Sequence, residues 1–226
     1  MAQSAAYNTT LKAGGTPTSL TNEACSKITA NTVYRVTAAS KRVLDPATAV
    51  VVQVDATGGG SWVTASSTTY TLDYFTGTIT FGSDQGSSAL VRISSGKYIP
   101  LLPVAYARSA GLSAAIDELD VTDFESAGDR EFIPGLFKGD LSIEVVSDAT
   151  DDLGAGDSLK SILAGRAEAF VEFQPGGQGT FLRFWALLTG ADGNAPVDGL
   201  VTTGLKAVLT VKAPAAAFSS STVVTS

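Results

Sequence analysis

Short runs rich in Val, Ile, Thr, Tyr and Phe recur along this chain, and turn-forming residues interrupt them at close spacing. β-branched and aromatic side chains fit a pleated, half-buried surface, so this rhythm is the mark of a mainly β protein. Strands are expected at residues 33–37, 49–54, 70–75, 78–81, 89–93, 141–146, 167–174, 180–187 and 205–212. The last has the clearest alternation: Leu205, Ala207, Leu209 and Val211 share one face, and Lys206, Val208, Thr210 and Lys212 share the other. One face is expected to be buried and the other largely wet.

The punctuation between strands has its own chemistry. Thr76-Gly77 lies between two expected strands, and glycine accepts the positive φ that a tight hairpin requires. Ile133-Pro134-Gly135-Leu136 and Gln174-Pro175-Gly176-Gly177 each place Pro then Gly at the central positions of a type II turn. One flanking α-helix is expected over residues 158–164. Asp157 or Ser158 caps it, Leu159, Ile162 and Leu163 form one apolar stripe, and Gly165 stands at its end. Residues 108–121 suit either state, since Leu112, Ile116 and Leu119 have helical spacing while Ala110, Leu112, Ala114 and Ile116 alternate.

A chain of 226 residues can hold one large all-β domain or two small ones. The reading favours a single β domain over residues 20–212. Residues 1–19 and 213–226 mix Gly, Pro and small polar residues without periodicity and read as terminal arms.

Composition bears on function mainly by exclusion. Histidine is absent and Cys25 is the single cysteine, which removes imidazole bases, Ser-His-Asp and Cys-His nucleophile systems, structural disulfides within the chain and His- or Cys-type zinc sites. The balance of 15 Lys+Arg against 22 Asp+Glu gives a net charge of −7, unlike a basic nucleic-acid binder. Charged residues are only 16% of the chain, against about 25% for an average domain. The chain is read as no enzyme, with no cofactor and no resident metal. Residues 1–10 carry neither a basic nor an apolar signal region, and the apolar stretch at 99–107 is far short of the roughly 20 residues that span a bilayer.

Several local patterns invite a chemical reading and fail it. Asp148, Asp151, Asp152 and Asp157 suggest calcium, but counting from Asp148 the EF-hand glycine position is Leu153 and the final glutamate position is Leu159. A second acidic group, Asp117, Glu118, Asp120 and Asp123, lacks any accompanying sign of a sugar cleft for paired-carboxylate hydrolysis. Gly58-Gly59-Gly60 and Gly176-Gly177-Gln178-Gly179 fit hairpin loops better than phosphate loops, because Gly96-Lys97 is followed by Tyr98 and lacks its upstream glycine. Trp62, Tyr70 and Tyr74 could serve a carbohydrate-binding or adhesin-type β-sandwich as a stacking platform, the alternative function carried forward.

From Leu119 to Glu144, through Asp120-x-Thr122-x-Phe124, Arg130 and Gly135-Leu136, the sequence resembles the tail tube (major tail) proteins of long-tailed bacteriophages. The course beyond is similar too: the expected helix, the strand pair about the Pro175-Gly176-Gly177 loop, and a closing strand after Val197-Asp198-Gly199. The resemblance covers residues 103–214, and residues 38–102 look like a strand-rich extension found in only some such proteins.

The resemblance implies a β-sandwich or barrel core with a flanking helix. It implies hexameric rings, stacked with other tail proteins in the virion, around a lumen that carries DNA during ejection without binding it specifically. Such a protein is made in the host bacterial cytoplasm. Acids facing a lumen repel phosphates, and Asp117, Glu118, Asp120, Asp140 and Glu144 are the candidates. The candidate subunit interface is Phe124, Asp129, Arg130, Glu131, Phe132 and Ile133, apolar anchors beside alternating charge.

Arg130→Glu places a third acid between two others and is expected to block assembly while the subunit stays folded. Thermal unfolding paired with electron microscopy checks this, and normal assemblies from the variant would remove the segment from the interface.

Overall fold

The computed structural model describes residues 10–104, 107–120, 132–146, 168–174, 180–194, 202–210 and 223–225. The fold is mainly β, with strands in two sheets and no α-helix among the described residues. The helix expected at 158–164 and the turn expected at 174–177 lie wholly or mostly outside them. No described helix is long and apolar enough to cross a membrane. Two compact units divide the chain: Met1–Pro103, Phe170–Phe184 and Val211–Ser226 form the first, and Val104–Ala169 with Trp185–Thr210 form the second.

Unit one contains a seven-stranded sheet built from β2 (Thr18–Thr29), β3 (Val33–Val36), β4 (Val51–Asp55), β5 (Val63–Thr64), β6 (Tyr70–Asp73), β7 (Thr78–Phe81) and β8 (Leu90–Tyr98). Their order is β5-β4-β8-β2-β3-β7-β6. Strand alternation sorts its side chains: Val91 and Ile93 on β8 are buried, while Leu90 between the turn and the core is half exposed. With Leu20, Tyr34, Val36, Leu44, Val52, Ile79 and Phe81 they make one apolar core. Burial pushes the Cys25 thiol up to about 12, with the Ile93 backbone acting against this and Glu23 adding to it, so it is not thiolate at neutral pH.

Both glycine turns in this sheet are structural. The Gly58–Gly60 segment joins β4 to β5 and wraps the fully buried Asp55, whose carboxylate accepts N–H bonds from Thr57, Gly58 and Gly60 at 3.2, 3.1 and 2.6 Å. Burial works to raise the Asp55 pKa, and these bonds with the Thr57 hydroxyl outweigh it, leaving the carboxyl below its ordinary value. The β6–β7 connection is a hairpin, but its loop has four residues, because Asp73 pairs with Thr78 and the Gly77 N–H closes on the Asp73 carbonyl at 2.9 Å. Asp73 is what lengthens it: its carboxylate accepts the Phe75 N–H at 2.9 Å and the Thr76 hydroxyl at 2.6 Å.

Unit one also holds β1 (Thr10–Gly14), β9 (Leu101–Pro103), β15 (Val223–Thr225), most of β12 (Glu168–Gln174) and the first part of β13 (Thr180–Asn194). β1 sits between β12 and β9, pairing Thr10 with Gln174 and Gly14 with Leu101, and it buries Leu11 and Ala13. β15 pairs with the start of β13. Residues 10–14, 18–19 and 223–225, read above within the arms, are therefore strand residues, held by partners remote in sequence. Buried Glu172 on β12 faces Lys12 on β1 at 2.7 Å and takes two bonds from Arg183 on β13, at 2.7 and 2.6 Å. Arg183 also donates to the Phe75 carbonyl, and the Phe75 ring lies 5.8 Å from that of Phe170.

Unit two is built on an antiparallel sheet in the order β10-β11-β14-β13, with β10 at Ala107–Asp120, β11 at Phe132–Val146 and β14 at Thr202–Thr210. β10 resolves the ambiguity at 108–121 in favour of strand, since exposure alternates with period two from Ser109 to Ser113. The Pro134-Gly135 turn expected from sequence is not a turn. Both residues lie inside β11, opposite a register shift between Ile116 and Glu118, where an irregular ladder tolerates a missing N–H and a missing side chain.

Gly77 has φ +64, and a Cβ there would come within 2.7 Å of the Arg42 carbonyl oxygen. Gly77→Ala should lower stability by about 1–3 kcal/mol, measured by chemical denaturation, while Gly82→Ala, where the nearest atom is 3.8 Å away, should change it little.

Candidate functional site

Period-two alternation gives the unit-two sheet two different faces. Leu141, Ile143, Leu205 and Ala207 are buried on one. The opposite face carries Ser109, Gly111 and Ser113 from β10, Asp140, Ser142 and Glu144 from β11, and Gly204, Lys206 and Val208 from β14. Strand register aligns them in rows. Ser109, Glu144, Gly204 and Asp192 lie side by side across four strands, Gly111, Ser142 and Lys206 form the next row, and Ser113, Asp140 and Val208 the third.

Small residues keep this face open and low. Among the described residues its hydroxyl hydrogen bonds are long: the Ser109 hydroxyl reaches Glu144 at 3.3 Å, the Ser142 hydroxyl reaches the Gly111 carbonyl at 3.4 Å, and the Thr189 hydroxyl reaches the Lys206 carbonyl at 3.3 Å. Lys206 pairs with Asp192 at 2.7 Å, both side chains well exposed, and the hydrogen bond to Asp192 raises the Lys206 pKa. Exposed pairs of this kind add little stability. With one lysine against Asp140, Glu144 and Asp192, the described part of this face is net acidic. Two shallow depressions of about 360 and 470 Å³ share Ser142 and Lys206, and neither gathers convergent apolar walls.

β10 is the edge of this sheet. Among the described residues it pairs only with β11, although it is 14 residues long. An edge of that length presents a row of backbone donors and acceptors ready to pair with another strand.

The expected lumen acids divide accordingly. Asp140 and Glu144 come together on the polar face. Asp117, Glu118 and Asp120 lie on β10 toward its end, where Glu118 pairs with Pro134 and Asp120 with Phe132. Of the expected interface, Phe132 and Ile133 begin β11, and Phe124, Asp129, Arg130 and Glu131 fall outside the described residues. Sequence reasoning put Lys206 on a wet face but missed Asp192, because β13 continues past the expected end at 187. The proposed stacking platform is not free: Tyr70 and Tyr74 pack on the core of the seven-stranded sheet, and the Arg92 guanidinium covers the Trp62 ring at 4.0 Å. Among the described residues no group of three or more His, Cys, Asp or Glu is placed to hold a metal ion.

No protein-family model matches the chain, and no curated protein matches it. Several solved structures are similar, among them two of gene transfer agent particles. One, described as the tail of an empty gene transfer agent particle with C6 symmetry, is 16% identical over 72% of this chain and 92% of that one, at a TM-score of 0.42. The other, the virion of a native gene transfer agent particle, is 18% identical over 50% of this chain and 85% of that one, at a TM-score of 0.43.

Proposed function

We propose that the chain is a structural protein of a phage-type virion, a tail tube subunit whose copies form stacked hexameric rings with other tail proteins and conduct DNA without catalysis. The observation that carries this reading is the unit-two sheet: a 14-residue edge strand beside a face of small residues and net acidic charge. In a ring, the edge of one copy pairs with a strand of the next, and the sheets close into a β-barrel around the lumen. The polar face then lines the channel. A polyanion passing over it meets a net acidic surface, on which Lys206 is paired with Asp192, rather than the unpaired lysines and arginines whose counterion release would hold it. The motif resemblance at residues 119–144 supports the same reading, because that segment includes the end of β10 and most of β11.

Electron microscopy of the concentrated, purified full chain tests this. Rings of sixfold symmetry, stacked into tubes, are expected; a chain that remains monomeric at every concentration and ionic strength would contradict it. Within assembled tubes, Asp140→Lys with Glu144→Lys is expected to preserve the tube and create DNA binding that weakens steeply with salt, whereas wild-type tubes bind little. A gel-shift titration at several salt concentrations reads this, and equal binding by both would take the face out of the lumen.

A further inference from the structure

Unit one contains a cleft of about 460 Å³ with an unusual charge balance for so acidic a chain. Lys12, Arg35, Arg42 and Arg183 line it against a single carboxylate, Glu172, which leaves three positive charges in excess. Glu172 is already committed, being buried between Lys12 and Arg183. Arg42 donates from Nε and Nη2 to the backbone carbonyls of Val36 and Thr37 at 3.0 and 3.4 Å, which places its charge without neutralising it. Burial first, and then the like charges of Arg35 and Arg183, lower the Arg42 pKa. The Arg35 side chain, half-buried on β3, has neither a hydrogen bond nor an ion pair among the described residues, its backbone alone being paired in the ladder. Tyr98, Pro100 and Phe181 supply apolar wall between these cations.

We infer that this cleft is a docking site for the acidic run at residues 148–157 of a second copy of the chain. Complementarity argues for that occupant. The chain carries net charge −7, and between Lys138 and Lys160 it has Asp140, Glu144, Asp148, Asp151, Asp152 and Asp157 without one basic residue. Asp140 and Glu144 belong to the polar sheet face, and Asp157 is a candidate helix cap, which leaves Asp148, Asp151 and Asp152 without an assigned role. Guanidinium groups take carboxylates in bidentate geometry, and an opposing pair of charged patches fixes register as well as attraction. The inference rests on the proposed self-assembly of the chain.

Cross-linking and charge exchange test it on the full chain. In the Arg35→Lys variant, assembled from equal parts light and isotope-labelled protein, zero-length carbodiimide coupling should join position 35 to residues 148–157 in mixed light–heavy peptides. Arg35→Glu should abolish sedimentable assemblies while the melting temperature of the free subunit stays unchanged, and adding Asp151→Lys with Asp152→Lys should restore them. Couplings found only within one copy, no coupling at position 35, normal assembly of Arg35→Glu, or failure of the charge exchange to rescue would each overturn the inference. Failure of the wild-type chain itself to assemble would instead overturn the proposed function.

Discussion

A single buried carboxylate organises much of unit one. Glu172 holds Lys12 on a neighbouring strand and Arg183 on another, and Arg183 carries the connection on to the Phe75 carbonyl in the β6–β7 loop. Burying an unpaired carboxylate is prohibitive, so these partners must be in place for β12 to be buried at all. Removing one partner of such a pair costs about 3–5 kcal/mol. The arrangement explains why β1 is a central strand although it joins residues some 160 positions apart. The same carboxylate is outnumbered by cations, so meeting the needs of the core leaves positive charge facing the cleft.

Unit two follows a different rule. Its apolar side chains satisfy one face of the sheet, and the other is left with serines, glycines and carboxylates that neither pack nor grip. A monomeric protein with a long strand edge usually blunts it with a charge, a proline or a cover, because open backbone groups invite further pairing. The acids of β10 gather toward its end at Asp117, Glu118 and Asp120, while residues 107–116 are mostly Ala, Ser and Gly, and in the proposed ring that stretch is the part another copy completes. The low proportion of charged residues agrees with a surface made to be buried against its own kind.

Sequence pattern reached these features unevenly, for physical reasons. Residues 78–81 and 33–36 were legible because alternation and flanking turn residues act locally. β10 was not, since Ala, Ser and Gly give neither period enough contrast to separate a helix from an edge strand. Residues 10–14 looked like an arm because only pairing with β12 and β9 makes them a strand. Pro134-Gly135 satisfies the chemistry of a turn, and a ladder irregularity absorbs the same chemistry inside a strand. Asp140 and Glu144 could be placed on one face by counting in twos along a single strand. The cleft could not be foreseen, because positions 12, 35, 42 and 183 share no local pattern.

Completion of the β10 edge by another copy is the claim on which the functional account turns. Amide hydrogen exchange, followed by mass spectrometry at residues 107–120 in the free subunit and in assembled material, measures it directly. The account predicts fast exchange at alternate β10 amides in the free subunit and strong protection on assembly. Identical exchange in the two states, or assembly that protects other segments and leaves β10 unchanged, would contradict it.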